Sequence, residues 1–96
     1  NFMLFTAASA EIIGLKALEW LAAEDDLFMT FLGSSGADLK DVQNGASDPA
    51  FLGSVLDFIL MDDQWVQDFC NHATLEYDAP YAARQFLPGG EIPNWT

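Results

Sequence analysis

The sequence predicts an all-α domain of two quasi-repeated three-helix units, packed as an orthogonal bundle or a short α-superhelix. Three observations carry this. First, the chain matches itself when shifted by 38 positions: Leu18-Glu19-Trp20-Leu21-Ala22-Ala23-Glu24-Asp25-Asp26 aligns with Leu56-Asp57-Phe58-Ile59-Leu60-Met61-Asp62-Asp63-Gln64. The register continues through Leu27/Trp65, Phe28/Val66, Phe31/Phe69 and Leu32/Cys70, and only Met29/Gln67 exchanges apolar for polar. Part of that match follows from the shared helical period near 3.6, so duplication explains it best without being required. Second, helix start and stop residues recur at short intervals. Third, no stretch alternates in polarity with β-branched residues for long enough to make a strand.

The elements follow in order. Thr6 or Ser9 caps a first helix running to about Ala23, with Glu11 in its first turn and Ile12, Leu15, Leu18, Leu21 and Ala22 as its buried stripe. Glu24-Asp25-Asp26 opens a second helix, where carboxylates meet free backbone N–H groups and the positive end of the helix dipole. That helix carries Leu27, Phe28, Phe31 and Leu32 and stops at Gly33-Ser34-Ser35-Gly36. Asp38 caps a short third helix with Leu39 and Val42 inward, ended by Asn44-Gly45.

The pattern then restarts. Asp48-Pro49 supplies a cap and a proline at the first helical position. Phe51, Leu52, Val55, Leu56 and Ile59 face the core of what should be the central helix. Asp62-Asp63 opens the fifth helix, with Trp65, Val66 and Phe69 inward and an end near Asn71-His72. Asp78-Ala79-Pro80 opens the sixth, which carries Tyr81 and Phe86 and ends at Pro88-Gly89-Gly90. The units cover about residues 9–45 and 47–86 of a single domain spanning 1–96, and residues 87–96 read as an extended tail. Most of these helices are too short to persist alone in water, so tertiary packing must hold them.

Composition narrows function more than it defines it. Fifteen Asp and Glu stand against Lys16, Lys40 and Arg84, a net charge of −12. Such a chain repels phosphate, which excludes direct nucleic-acid binding and disfavours anionic membrane surfaces. The acids also keep soluble a chain that is 51% apolar, with eight Phe and three Trp. An apolar excess in so small a domain can leave a sticky face, which a homodimer would hide. Phe51–Met61 is the longest apolar run; it holds Asp57 and is far short of the roughly 20 residues a bilayer demands. Cys70 stands alone, so there is no intrachain disulfide, and with no recognisable leader the chain reads as cytoplasmic.

Ala17-Leu18-Glu19-Trp20-Leu21-Ala22 before acids, Phe31-Leu32 with a glycine turn, Asp48-Pro49-Ala50-Phe51-Leu52, and Val55-Leu56-Asp57-Phe58-Ile59-Leu60 are motifs to set together. With Phe69-Cys70, Ala83-Arg84 and Leu87-Pro88-Gly89-Gly90, they resemble a small bacterial family, chiefly alphaproteobacterial, known as a domain of unknown function. The resemblance spans about residues 11–96 and leaves Asn1 and Phe2 outside it. It implies a bacterial, cytoplasmic, helical protein and carries over no catalytic residue.

Each chemically suggestive residue also has an ordinary structural explanation. Cys70 and His72 are two apart, about 200° around a helix, so they cannot form a local nucleophile–base pair. Cys70 occupies the repeat position of Leu32, a core position, and His72 suits a helix C-terminus. The acidic clusters lack the alternating ligands and glycine turn of a calcium loop, so capping accounts for them better than metal binding. Glu19 and Asp57 are repeat-equivalent carboxylates. Yet Asp57 shares a small, weakly polar face with Ala50, Gly53 and Ser54, a face that would let another helix approach, and Glu19 follows Lys16 as an exposed ion pair would. Arg84 is expected to pair with an acid or to steady the last helix end. Trp95 and Ile92 lie on the tail and either fold back or reach a partner, a task to which Trp is suited because it buries much area at low entropic cost.

With no catalytic, cofactor or metal signature, the expectation is a non-enzymatic protein-interaction or adaptor module, with Trp95, Ile92 and Arg84 as candidate contacts for a protein partner. The alternative is an acidic mimic that binds a basic, nucleic-acid-binding protein.

Overall fold

The computed structural model describes residues 6–90. Six helices run α1 (Ala7–Ala22), α2 (Asp25–Ser35), α3 (Leu39–Gly45), α4 (Pro49–Ile59), α5 (Asp63–Ala73) and α6 (Ala79–Gln85), with no strand among the described residues. The all-α reading and the six-helix order therefore hold.

Local chemistry explains most boundaries. Thr6 caps α1 by accepting from Ser9 N at 3.1 Å, and Ser9 Oγ returns the favour to Thr6 N at 2.9 Å. Asp38 and Asp41 make the same reciprocal box on α3. Asp48 caps α4 ahead of Pro49, and Asp62 caps α5 by accepting from Gln64 N at 2.8 Å. Two caps differ from expectation. Glu24, the repeat mate of Asp62, and Asp78 of α6 stand at their N-cap positions without a side-chain bond to the helix. The α2 stop falls at the last residue of the expected Gly33-Ser34-Ser35-Gly36 stretch, Gly36, in the left-handed region at φ 76°. The last turn of α5 closes on Thr74 at φ 58°, an unfavourable conformation for a β-branched residue.

The units interlock instead of stacking. α1 packs along α4 and α6, while α3 packs on α4, so the third helix of each unit leans on the first helix of the other. The crossing of α1 and α4 places Gly14 against Leu52, its own partner in the 38-residue shift; a Cβ on Gly14 would lie 2.9 Å from that of Leu52. A residue touching its own repeat mate is the signature of a two-fold relation, here an approximate one within a single chain. The aromatics repeat the relation. Trp20 meets Phe69 at 5.9 Å between ring centroids, and the shifted pair, Phe58 and Phe31, meets at 5.3 Å. Each unit thus sends a ring into its twin, and Leu18, Leu21, Val55, Leu56 and Ile59 fill the space between.

Several expected core residues lie elsewhere. Ile12 is 57% exposed and Leu15 and Ala22 are exposed, because α1 is clasped between α4 and α6 and buries Ala10, Ile13, Gly14, Ala17, Leu18, Trp20 and Leu21 instead. Leu39 is 63% exposed, on a short α3 that packs mainly on α4. The tail reading is corrected at its start. Leu87 is fully buried, and Leu87–Gly90 forms a turn closed by Gly90 N donating to Leu87 O at 3.0 Å, with Gly89 at φ 89°. An apolar residue directly after a helix is better buried than extended. Ile92, Trp95 and the segments 1–5 and 91–96 lie outside the described residues.

Candidate functional site

Arg84 is the most connected polar side chain of the described residues. Its Nε donates to Asp57 Oδ1 at 2.5 Å and its Nη2 to Asp57 Oδ2 at 2.9 Å, a two-pronged pair between α6 and α4. Its Nη1 donates to Pro88 O at 3.0 Å and Leu87 O at 3.4 Å, tying the turn after α6 to the same guanidinium. Gly53 makes room: a Cβ there would lie 2.7 Å from Arg84 Nη1. Residues 84–88 of the same chain therefore cover the part of the small face of α4 at Gly53 and Asp57, while Ala50 stays exposed. Arg84 does what an ion pair and a helix end require, and both roles use its guanidinium inside the fold. Asp57 is thereby engaged with Arg84, whereas Glu19, its repeat mate, lines a shallow depression with Lys16, His72 and Ala73. The two carboxylates do not converge, and Lys16 and Glu19 are not within ion-pair distance; among the described residues Arg84–Asp57 is the one ion pair.

Cys70 is fully buried, more deeply than its repeat mate Leu32, which is half-buried against the core, and its Sγ donates to Glu76 O at 3.4 Å. Burial pushes the thiol pKa up, and Asp78 adds to the shift by repelling a thiolate. A thiol held neutral is a poor nucleophile. His72 is exposed in the last turn of α5, on the Lys16–Glu19 side, and forms no unit with Cys70. Among the described residues no three Asp, Glu, His or Cys side chains gather as a metal-holding group.

A cleft of about 580 Å³ opens between the end of α1, the start of α2 and one side of α5. Trp20, Leu27 and Trp65 supply its apolar surface, and Glu24, Asp25, Asp26 and Asp68 its carboxylates. Leu27/Trp65 and Thr30/Asp68 are repeat mates, so equivalent positions of α2 and α5 line the same cleft. Trp65 is held by stacking on Phe58, 4.9 Å between centroids and 22° between planes. Sequence reasoning placed Leu27 and Trp65 inward, gave Glu24, Asp25 and Asp26 to capping, assigned no role to Trp20 or Asp68, and so missed the cleft. The available signal was that Trp20 and Trp65 each lie within five residues of an acidic cluster.

A family model matches residues 7–90, under the description protein of unknown function (DUF3572). The chain belongs to this family. The match extends over almost all the described residues, so the six-helix unit with its Arg84 clasp and its cleft falls within the family's extent. No curated protein and no solved structure matches the chain. No described helix is long and apolar enough to cross a membrane.

Proposed function

We propose that this member of the family is a non-catalytic protein-interaction module, an adaptor acting in the cytoplasm. The observation that carries the reading is the character of its surface. Tyr77 and Tyr81, at the start of α6, are each about half exposed, and Met29, Leu39 and Met61 are more so, on a chain of net charge −12. Exposed tyrosine and methionine amid solubilising charge is the composition of protein-binding surfaces. Ile92 and Trp95 would add contacts from the tail, and a second copy of the chain is one partner such a surface can take.

The test is capture of partners from a bacterial lysate by the full chain and by a Tyr77→Ser/Tyr81→Ser variant that keeps its helical circular dichroism. A partner retained by the full chain and lost by the variant supports the reading; capture by neither, with a monomer in light scattering, overturns it. A version ending at Gly90 isolates the tail. Truncation before Leu87 is unsuitable, because it removes a buried leucine and the carbonyls that Arg84 grips.

A second reading, an acidic mimic for a basic nucleic-acid-binding protein, is favoured by one specific fact. Of three basic side chains, Arg84 is spent internally, leaving Lys16 and Lys40 against the acids. Salt separates the readings. A mimic's complex should dissolve by about 0.5 M salt, where charges are screened within a few ångströms, and an adaptor's should survive.

A further inference from the structure

We infer that two copies of this chain exchange units: α1–α3 of one chain packs on α4–α6 of the other, and the reverse, in a dimer held by the contacts that close the monomer. The partner is a second copy, and its seat is the boundary between the units, not the outer surface that carries Tyr77 and Tyr81. The inference therefore goes beyond the adaptor reading and stands without it.

Three observations carry it. The first is that the core forms between the units. α1 packs along α4 and α6, and α3 packs on α4. The ring contacts Trp20–Phe69, Phe31–Phe58 and Phe31–Phe51 all cross the same boundary. Helices of 7 to 16 residues do not persist alone in water, so each unit needs the other type of unit beside it. A unit of that type on another chain offers identical contacts.

The second is the connection. Away from it, the hydrogen bonds among the described residues each lie within one unit, and the Arg84–Asp57 pair stays inside the second. The units are joined by Ala46, Ser47 and Asp48, all exposed. Opening this hinge breaks only local bonds: Asp48 N to Gly45 O at 3.0 Å, Ser47 N to Asn44 O at 3.3 Å, and Ser47 Oγ to the same carbonyl at 3.2 Å. The Asp48 cap and Pro49 belong to α4 and travel with it, and the proline bars α3 and α4 from fusing into one helix. The closed turn is crowded, since a Cβ on Gly45 would stand 2.1 Å from the Phe51 ring. A short, crowded hinge between mutually dependent units favours exchange.

The third is charge, which selects exchange over face-to-face docking. Each chain carries −12, and with Arg84 engaged only Lys16 and Lys40 remain to offset the acids of a second copy. A new interface between outer surfaces would press acids together. Exchange makes no new interface: each lobe contains one unit of each type, as the monomer does. What remains is repulsion between whole lobes, which salt screens.

The strength follows from the same identity of contacts. The dissociation constant of the dimer is about the effective concentration of one unit for the other within a chain, on the order of 1 mM for a short linker and lower where the linker barely spans its sites. The chain is closed when dilute and exchanged when concentrated.

The experiment unfolds the full chain in denaturant and refolds it at about 10 μM to 2 mM in about 0.3 M salt, with mass read by light scattering. An equal mixture of isotope-labelled and unlabelled chains, refolded together, shows by nuclear magnetic resonance whether Trp20 of one chain touches Phe69 of another. A dimer with a dissociation constant of about 0.1–1 mM and interchain Trp20–Phe69 contacts is expected. Deleting Ala46 and Ser47 removes the turn and should tighten the dimer at least about tenfold; inserting Gly-Ser-Gly-Ser between them relaxes the turn and should weaken it at least about threefold. A full chain that stays monomeric over the whole range overturns the proposal. So does a dimer whose Trp20–Phe69 contacts remain within one chain, as docking through Tyr77 and Tyr81 would give, and so does an insertion that leaves the constant unchanged. The full chain and the insertion variant decide the matter even where the deletion variant fails to fold. Failure here leaves the adaptor reading to the lysate capture, which tests a different surface.

Discussion

The two halves of this chain start from nearly the same helical pattern and end in different environments. In the second unit α4 buries Leu52, Gly53, Val55, Leu56, Phe58 and Ile59, α5 buries Val66, Phe69 and Cys70, and α6 buries Ala79, Pro80 and Ala83. In the first, α2 buries Phe31 alone and α3 buries Gly45 alone, while the longer α1 carries that unit's share of the core. The cause is the partner each helix meets. α6 lies along α1 and is clamped to α4 by Arg84, whereas α3 packs mainly on α4. A repeat therefore transmits helix register faithfully and burial poorly, because burial is a property of pairs of helices.

The sharpest way to break the comparison is through the mated rings. Phe31→Ala and Phe69→Ala should each cost about 3–5 kcal/mol in chemical denaturation, since both rings are fully buried. Similar losses would mean that the two-fold governs energetics as well as geometry. A Phe31 loss below about 2 kcal/mol would show the first unit to be the softer half.

The glycines give the next largest contrast. Gly14→Ala should destabilise by about 1–3 kcal/mol, because its Cβ meets the Cβ of Leu52, which cannot swing away, and α1 must lift off α4. Gly33→Ala in α2 meets nothing within 4 Å and should stabilise by about 0.5–1 kcal/mol in the same assay. Gain at both positions would mean that the crossing is looser than the Gly14–Leu52 contact implies.

The clasp belongs to the second unit. Arg84→Met should cost about 1–2 kcal/mol, mostly through the carbonyls of Leu87 and Pro88, because the Asp57 carboxylate is more than half exposed and screened. Arg84→Lys should not restore it, since an ammonium cannot span both carboxylate oxygens and the turn. Rescue by lysine would reduce the clasp to simple charge.

The equivalent caps differ as well. Asp62→Ala should cost about 1 kcal/mol, and Glu24→Ala about 0.5 kcal/mol or less, because only Asp62 bonds its helix. The smallest effect concerns Cys70 against its mate Leu32. Its thiol pKa is raised in the folded protein, so the folded form holds a proton that the unfolded form releases. Stability from this source is complete below the unfolded thiol pKa and is lost as pH rises through the folded one. Cys70→Ala should remove that part of the alkaline decline, seen as a flatter dependence of the denaturation midpoint on pH.

Helix positions were readable because caps and turn residues act within a few neighbours. Thr6, Asp38, Asp48-Pro49 and Asp62 each satisfy backbone groups one to three residues away, and these starts were found from the sequence. The repeat was readable for the same reason: pattern survives in the order of residues. The all-α class, the six-helix order and the buried Cys70 follow from local order, while the family of unknown function was reached through the resemblance of its motifs. What required the tertiary structure was which face meets what. Ile12 and Leu39 carry the right period for burial but lack a neighbour, Leu87 is buried because α6 delivers it to the core, and Arg84 reaches Asp57 across 27 positions of sequence. The cleft is the extreme case, since its two tryptophans and four carboxylates come from α1, α2, α5 and the α1–α2 junction and share one opening only once the helices are packed. Hydrogen bonds at helix ends are short-range and written in the order of residues, whereas apolar burial and long-range ion pairs depend on which surfaces the packed helices bring together.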